Sequence, residues 1–206
     1  PSLEELCAGK KDIVIISSDH TRPVPSRVTM PILLHHIHSA APEARVRILV
    51  ATGMHRPSTH EELVNKYGEE IVANEEIVMH VATDDSMMKK IGTLPSGGEC
   101  IINKIAADCD LLLAEGFIEP HFFAGFSGSR KSVLPGIASY KTIMYNHNGQ
   151  FVNDSHSRAG NLCHNHVSED MFAAAEMAHL AFVLNVVLNG KHEVIGSFAG
   201  DIHKAH

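Results

Sequence analysis

Three segments of the chain carry residue types that do chemistry rather than fill a core. They are Asp19-His-Thr-Arg22-Pro-Val-Pro25, Ala51-Thr-Gly-Met-His55-Arg56-Pro57, and the long block Glu115-Gly-Phe-Ile-Glu-Pro-His121-Phe-Phe-Ala-Gly-Phe-Ser-Gly-Ser-Arg-Lys131. Arg22 offers a planar, permanently charged fork that grips a carboxylate or phosphate with two prongs. His55 and His121 are imidazoles, able to exchange protons near neutral pH. In the long block, Phe117, Phe122, Phe123 and Phe126 supply half of the chain's eight phenylalanines and surround His121 with an apolar wall. Gly125 and Gly128 permit close backbone approach, and Ser127, Ser129, Arg130 and Lys131 supply hydroxyls, amides and cations suited to an anionic ligand. Lys131 serves either as a counter-charge or, as an amine in an apolar setting, as the site of a covalent link. The block does not match the GxxxxGK[ST] phosphate loop.

The plainer readings differ in strength. Pro23 and Pro25 can simply stiffen a turn, with Arg22 solvated and Asp19 satisfying loop amides. Thr52-Gly53 can be a tight turn and His55 a surface histidine ahead of a helix. For Asp19 alone the structural reading is the better one; for His55 alone the two are level. The long block is different, because a plain loop gives no reason to combine clustered phenylalanine, glycine, hydroxyls and cations. Of the other histidines, His147 lies in a polar stretch, Asn146-His147-Asn148, and His164 and His166 form a weak HxH pair. His35, His36 and His38 share one helical segment and must face different ways. His179, His192, His203 and His206 have no supporting context and are left out of the site.

The elements that would position these segments alternate. Ile13–Ile16 reads as a strand, Ser26–Ser39 as a helix in which Pro31 is tolerable only near the start, and Val46–Ala51 as a second strand. Ser58-Thr-His-Glu61 has capping-box spacing, and the helix it opens is expected to stop at Tyr67-Gly68. A strand is expected over Glu76–Val81, a helix over Glu99–Ala107, and a buried strand at Leu111–Ala114. A helix over Ser168–His179 and a strand over Ala181–Leu188 complete the pattern. Such alternation gives an α/β fold, a largely parallel, Rossmann-like sheet with helices on both faces. The three chemical segments follow predicted strands, where open parallel sheets bind ligands. Residues 1–206 read as a single domain.

Composition narrows the partners. Lys and Arg total 17 against 24 Asp and Glu, a net charge of -7, which opposes binding to a polyanionic backbone. Aromatic residues are 5% and tryptophan is absent, so base-stacking platforms and nucleic acid are not expected. No apolar run approaches the ~20 residues that cross a bilayer, and Pro1–Lys10 lacks the apolar centre of a signal peptide. Cys7, Cys100, Cys109 and Cys163 show no paired spacing, which fits a reducing, cytoplasmic compartment without a disulfide framework. Histidine is in excess, at 16 residues. Pro1 is not an initiator, and Asp201–His206 is no structural terminator, so the chain reads as a fragment or a processed product.

Taken in order, Asp19-x-x-Arg22-Pro, Thr52-Gly-x-His55-Arg-Pro57, Glu119-Pro-His-Phe-Phe-Ala-Gly-Phe-Ser-Gly-x-Arg-Lys131 and Asn146-His147 resemble the nickel-dependent lactate racemase family. The resemblance covers essentially the whole chain, and the glutamate-to-lysine block is its most specific part. It implies an isomerase that racemises a small 2-hydroxy acid, lactate first, by hydride transfer through a 2-keto acid. It implies a nickel pincer nucleotide, a pyridinium mononucleotide with two sulfur-bearing substituents, attached covalently through Lys131. By the same resemblance His147 is the protein ligand to nickel, and His55 and His121 are the acid/base pair. Arg22 holds the substrate carboxylate and Asp19 helps order the site, while Ser127, Gly128, Ser129 and Arg130 belong to the cofactor-binding stretch. Cofactor-synthesis proteins are the implied partners. Family members continue into a second domain that closes over the substrate, and this chain ends before it.

The chemistry is coherent on its own terms. Inverting the substrate carbon needs hydrogen taken from one face and returned to the other, with one proton carrier for each hydroxyl position. Soft sulfur and imidazole suit nickel, and the cofactor carries the difficult step. Two other readings stay open. His55, His121 and His147 could hold zinc in a hydrolase or lyase, or the histidine excess could serve a non-enzymatic nickel store. A nicotinamide dehydrogenase ranks lower, since no GxGxxG follows the first strand.

Overall fold

The computed structural model describes residues 1–128 and 130–206. Ile13 to Ile16 are all fully buried, a run that only a strand covered on both faces tolerates. This strand is β1 (Asp12–Ser18), preceded by α1 (Leu3–Cys7). The chain then alternates through α2 (Ser26–Ala40), β2 (Arg45–Ala51), α3 (His60–Tyr67), α4 (Glu69–Asn74) and β3 (Glu76–Met79). A hairpin of β4 (Met88–Thr93) and β5 (Glu99–Asn103), then α5 (Lys104–Asp108), leads back to β6 (Leu111–Phe117) beside β1. After β6 come the short ladder β7 (Pro120–His121) and β8 (Gly125–Phe126), and helices α6 (Arg130–Val133), α7 (Tyr140–Asn146), α8 (Gly149–Val152) and α9 (His166–Met177). The chain closes with β9 (Leu180–Leu188) and β10 (Val194–Gly200).

The main sheet has the order β3-β2-β1-β6-β9-β10. Its first five strands are parallel, with Ile15 level with Ile48 on one side and Leu113 on the other. Only the edge strand β10, which the sequence reading did not anticipate, runs antiparallel. Alternation along β1 divides the core. Ile13 and Ile15 pack with Met30, Leu33 and Ile37 of α2, whereas Val14 and Ile16 pack with Val133, Val167, Met171 and Ala174 of α6 and α9. The expected Rossmann-like sheet, helices on both faces, is the one found. Because the chain leaves β1 toward β2 and later returns to β6, the loops after β1 and β6 diverge and open a crevice between them.

Three local expectations need correction. The stretch expected to be a helix over Glu99–Ala107 is β5 followed by α5. Cys100 and Ile102 alternate inward and pair across β4, and Asn103 ends the strand by capping α5, its Oδ1 accepting the Ile105 amide at 3.0 Å. The capping box lies one residue later than expected: Thr59 Oγ1 accepts the Glu62 amide, and Glu62 Oε2 accepts the Thr59 amide at 2.7 Å. Ser58 instead pairs with His20. Pro31 lies beyond the first turn of α2, yet the helix continues to Ala40, held by the burial of Met30, Leu33, Leu34 and Ile37.

Candidate active site

The loops after β1 and β2 form one wall of the crevice. Asp19 follows β1 directly and is buried; its Oδ1 accepts the Thr21 amide at 3.1 Å and the Thr21 hydroxyl at 2.6 Å. Its Oδ2 accepts from His55 Nδ1 at 2.7 Å. A carboxylate has no proton to give here, so Nδ1 donates and the Nε2 lone pair of His55 is left for a substrate. Gly53, at φ 54, turns the β2 loop, and its amide is held by the Gly136 carbonyl at 2.9 Å, which carries His55 to the crevice. Arg22 is exposed and makes no ion pair among the described residues. Asp19 is thus an orienting partner of His55, and the bland reading of it as a loop tie is also partly true.

The segment after β6 forms the opposite wall. His121 is half-buried, stacked on Phe122 and edge-on to Phe123, each at a ring separation of 4.6 Å. Its Nδ1 accepts the amides of Ala124 at 3.3 Å and Phe123 at 3.5 Å, which puts the neutral ring's proton on Nε2. Desolvation first, then the Lys131 cation, push His121 down to about 3. Lys131 lies 5.6 Å from the Phe123 ring centre, and enclosure followed by the Arg130 and Arg22 charges brings its amine down to about 7. His147 stands at the end of α7, edge-on to the same Phe123 ring at 5.2 Å. Burial, then Lys131, hold it at about 4, and its buried Nδ1 has no hydrogen-bond partner among the described residues. Such an imidazole is neutral at pH 7, the form that ligates metals.

A cavity of about 250 Å³ lies between the walls. Asp19, Arg22, His55, Ser127, Gly128, Lys131 and His147 all line it. His121 does not, although the charges of Lys131 and Arg22 reach it. Arg130 also departs from expectation. Its guanidinium is 1% exposed and donates to the carbonyls of Ala124, Phe126 and Ser127 at 2.9–3.1 Å, so it staples the loop from within instead of facing a ligand. Ser127 faces the cavity, but its hydroxyl is engaged by the Phe117 carbonyl and the Glu119 amide, both at 2.8 Å. Gly128, at φ 113, leaves no room for a Cβ beside His206. Ser129 lies outside the described residues.

Sequence reasoning missed two contributors. Glu115 is fully buried at the cavity wall, a carboxylate inside an otherwise apolar strand, and that contrast was visible in Leu111–Phe117. His206, dismissed for want of context, packs its ring beside Arg130 and contacts the Ser127 carbonyl at 2.7 Å. Its distance along the chain gave no signal. Among the described residues no three histidine, cysteine or carboxylate side chains gather as a metal site, so the three-histidine zinc set is not assembled.

Fold and cavity together define a Rossmann-like α/β domain with its candidate active site at the topological switch of a parallel sheet. Residues 1–160 match the lactate racemase N-terminal domain model, and the chain belongs to that family. It is 71% identical over 204 residues to the lactate racemase of Lactiplantibacillus plantarum and 54% identical to that of Thermoanaerobacterium thermosaccharolyticum. Each alignment takes in 99% of this chain and 48% of the relative, so the chain spans about half the length of the curated relatives it matches. The lactate racemase apoprotein structure from T. thermosaccharolyticum superposes over 100% of this chain and 49% of that one, with a TM-score of 0.98 at 53% identity. A Thermotoga maritima protein shares the fold alone, at TM-score 0.81 and 22% identity over 98% of this chain and 54% of that one.

Proposed function

We propose that this chain is the cofactor-holding, catalytic half of an enzyme that racemises a small 2-hydroxy acid, lactate first. The observation that carries the proposal is the shared cavity: a lysine amine, an imidazole whose Nδ1 has no hydrogen-bond partner among the described residues and an aspartate-held histidine line one space. The residues fit a nickel pincer nucleotide. Lys131, at about 7, is partly an uncharged nucleophilic amine at neutral pH, suited to the covalent tether. The orphaned, neutral His147 is suited to a soft transition metal. When bound, that group supplies an electrophilic centre able to take up and return the hydrogen of the substrate carbon.

The chain's own residues bind and handle protons. Arg22, free of ion pairs among the described residues, grips the carboxylate and fixes the pivot about which the substrate carbon turns. His55 presents its Nε2 lone pair and takes the hydroxyl proton of one enantiomer, with Asp19 stabilising the imidazolium that results. His121 is assigned the opposite hydroxyl position; its ring does not line the cavity in this chain and must enter it to act. For His121 to accept a proton in turn, the long amide contacts of its Nδ1 must be given up. The aromatic wall half-buries Lys131 and His147 beside the cavity, which favours their uncharged forms.

Mass spectrometry of full-length protein from cells that make the cofactor tests the proposal. A Lys131 adduct, one nickel per chain and racemisation of single-enantiomer lactate are expected. An unmodified Lys131 in an active enzyme would refute it.

A further inference from the structure

The loop that carries Asp19 and Arg22 is closed at its base by a single oxygen atom. On its near side Ser17, in β1, donates its hydroxyl to Glu115 Oε1 at 2.6 Å. On its far side Ser26, the first residue of α2, donates to the same Oε1 at 2.5 Å. Thr29, one turn further along α2, donates to the other oxygen, Oε2, at 2.5 Å. Tyr67 donates its hydroxyl to Ser17 Oγ at 2.8 Å and so fixes which way that serine points. Lys66, whose ammonium donates to Ser18 Oγ at 3.2 Å, is close enough to feel both Glu115 and Asp19.

We infer that Glu115 is a positioning residue that sets the span of the β1–α2 loop and, through it, the places of Arg22 and of the Asp19–His55 pair. Two considerations carry this. A carboxylate wholly out of water is costly even when hydrogen-bonded, and an apolar side chain would pack α2 onto β6 with no such cost. Arg22, for its part, has no side-chain ion pair among the described residues, and a backbone turn to the Asp19 carbonyl at 3.3 Å is the local contact that holds it. The loop's two anchored ends therefore set where the Arg22 backbone stands, and with it the reach of the guanidinium. The inference rests on the reading above, in which Arg22 binds the substrate carboxylate and His55 takes the hydroxyl proton.

The test uses full-length, cofactor-loaded enzyme and the racemisation of single-enantiomer lactate, with the thermal transition and the Lys131 adduct followed for every variant. Glu115→Gln keeps an oxygen for Ser17 and Ser26, so KM should stay within about twofold of the parent. Glu115→Met has similar volume but no acceptor, and should raise KM about tenfold, with kcat falling less. Ser26→Ala frees only the far anchor and should raise KM about threefold. An unchanged KM in folded Glu115→Met overturns the inference, as does an equal rise in the glutamine and methionine variants. If Glu115→Met does not fold, an unchanged KM in Ser26→Ala decides against it. Arg22→Ala separates the two levels: KM unchanged there removes the reading of Arg22 first, and the inference with it.

Discussion

The two walls of the cavity keep their functional groups ready by opposite means. On the β1–β2 side, Asp19 is buried, but His55 keeps 44% of its side chain exposed and Arg22 reaches into solvent. Orientation there comes from hydrogen bonds: Thr21 fixes Asp19, Asp19 fixes the His55 ring, and the loop stays open to what approaches. On the β6–α7 side, orientation comes from packing and the chemistry from exclusion of water. Phe123 touches the rings of both His121 and His147 and underlies Lys131, and enclosure lowers the proton affinity of all three. An exposed wall is suited to groups that meet a substrate and exchange protons with it. A dry wall is suited to an amine and an imidazole that must stay uncharged.

The largest effects should come from the dry wall. Lys131→Arg in the full-length protein keeps a cation but cannot form the same covalent link, and racemisation should fall by about four orders of magnitude or more. Intact-protein mass is expected to show no adduct. His147→Ala should leave the lysine adduct and lose nickel, read by metal analysis of the purified protein. Wild-type nickel content in that variant would transfer the ligand role elsewhere. On the open wall, His55→Ala should keep both adduct and nickel while activity drops about 10²–10⁴-fold, the range for losing one general base. Asp19→Asn is subtler, because the amide can hydrogen-bond the ring in its other tautomer and turn the Nε2 lone pair into a donor. A fall in kcat of about a hundredfold with little change in KM is expected. Equal losses in kcat and binding would mean that Asp19 builds the loop and does not tune the histidine.

Much of this arrangement was legible in the residues, and the parts that were not have identifiable causes. The strands at Ile13–Ile16, Val46–Ala51 and Leu111–Ala114 are apolar runs with polar ends, a pattern that sheet burial imposes directly. Asp19, Arg22, His55 and the long block stood out for the same reason, since each follows such a run. Residues 99–103 misled because Cys-Ile-Ile is compatible with either period, and only pairing with β4 decides it. Arg130 misled because an arginine among serines and glycines has the composition of an anion site. Three carbonyls converging on it from residues 124–127 are a property of the folded loop, not of the string. The shared cavity of Lys131 and His147 was carried by resemblance, for no periodicity links those positions.

The smallest effect concerns stability, and it separates the walls without any cofactor. Lys131 has an ordinary pKa near 10.5 when unfolded and about 7 when folded. Below pH 7 both states hold the proton, and the fold carries the full cost of an enclosed ammonium. Between pH 7 and 10.5 the unfolded chain binds more protons than the folded one, so this group makes stability rise with pH across that window. Lys131→Met removes the cost and should stabilise the apoprotein near pH 7. The side chain retains some solvent contact, so the gain should be on the order of 1–2 kcal/mol, well short of the full shift. Urea unfolding at pH 7 and pH 9.5 should show that gain shrinking at the higher pH. Tyr67, whose phenol burial pushes up, begins to oppose the trend above pH 10 but is common to both proteins and cancels in the difference. A Lys131→Met gain that is the same at both pH values would mean the amine is solvated in the folded chain, and the distinction between a dry wall and an open one would fail at its central residue.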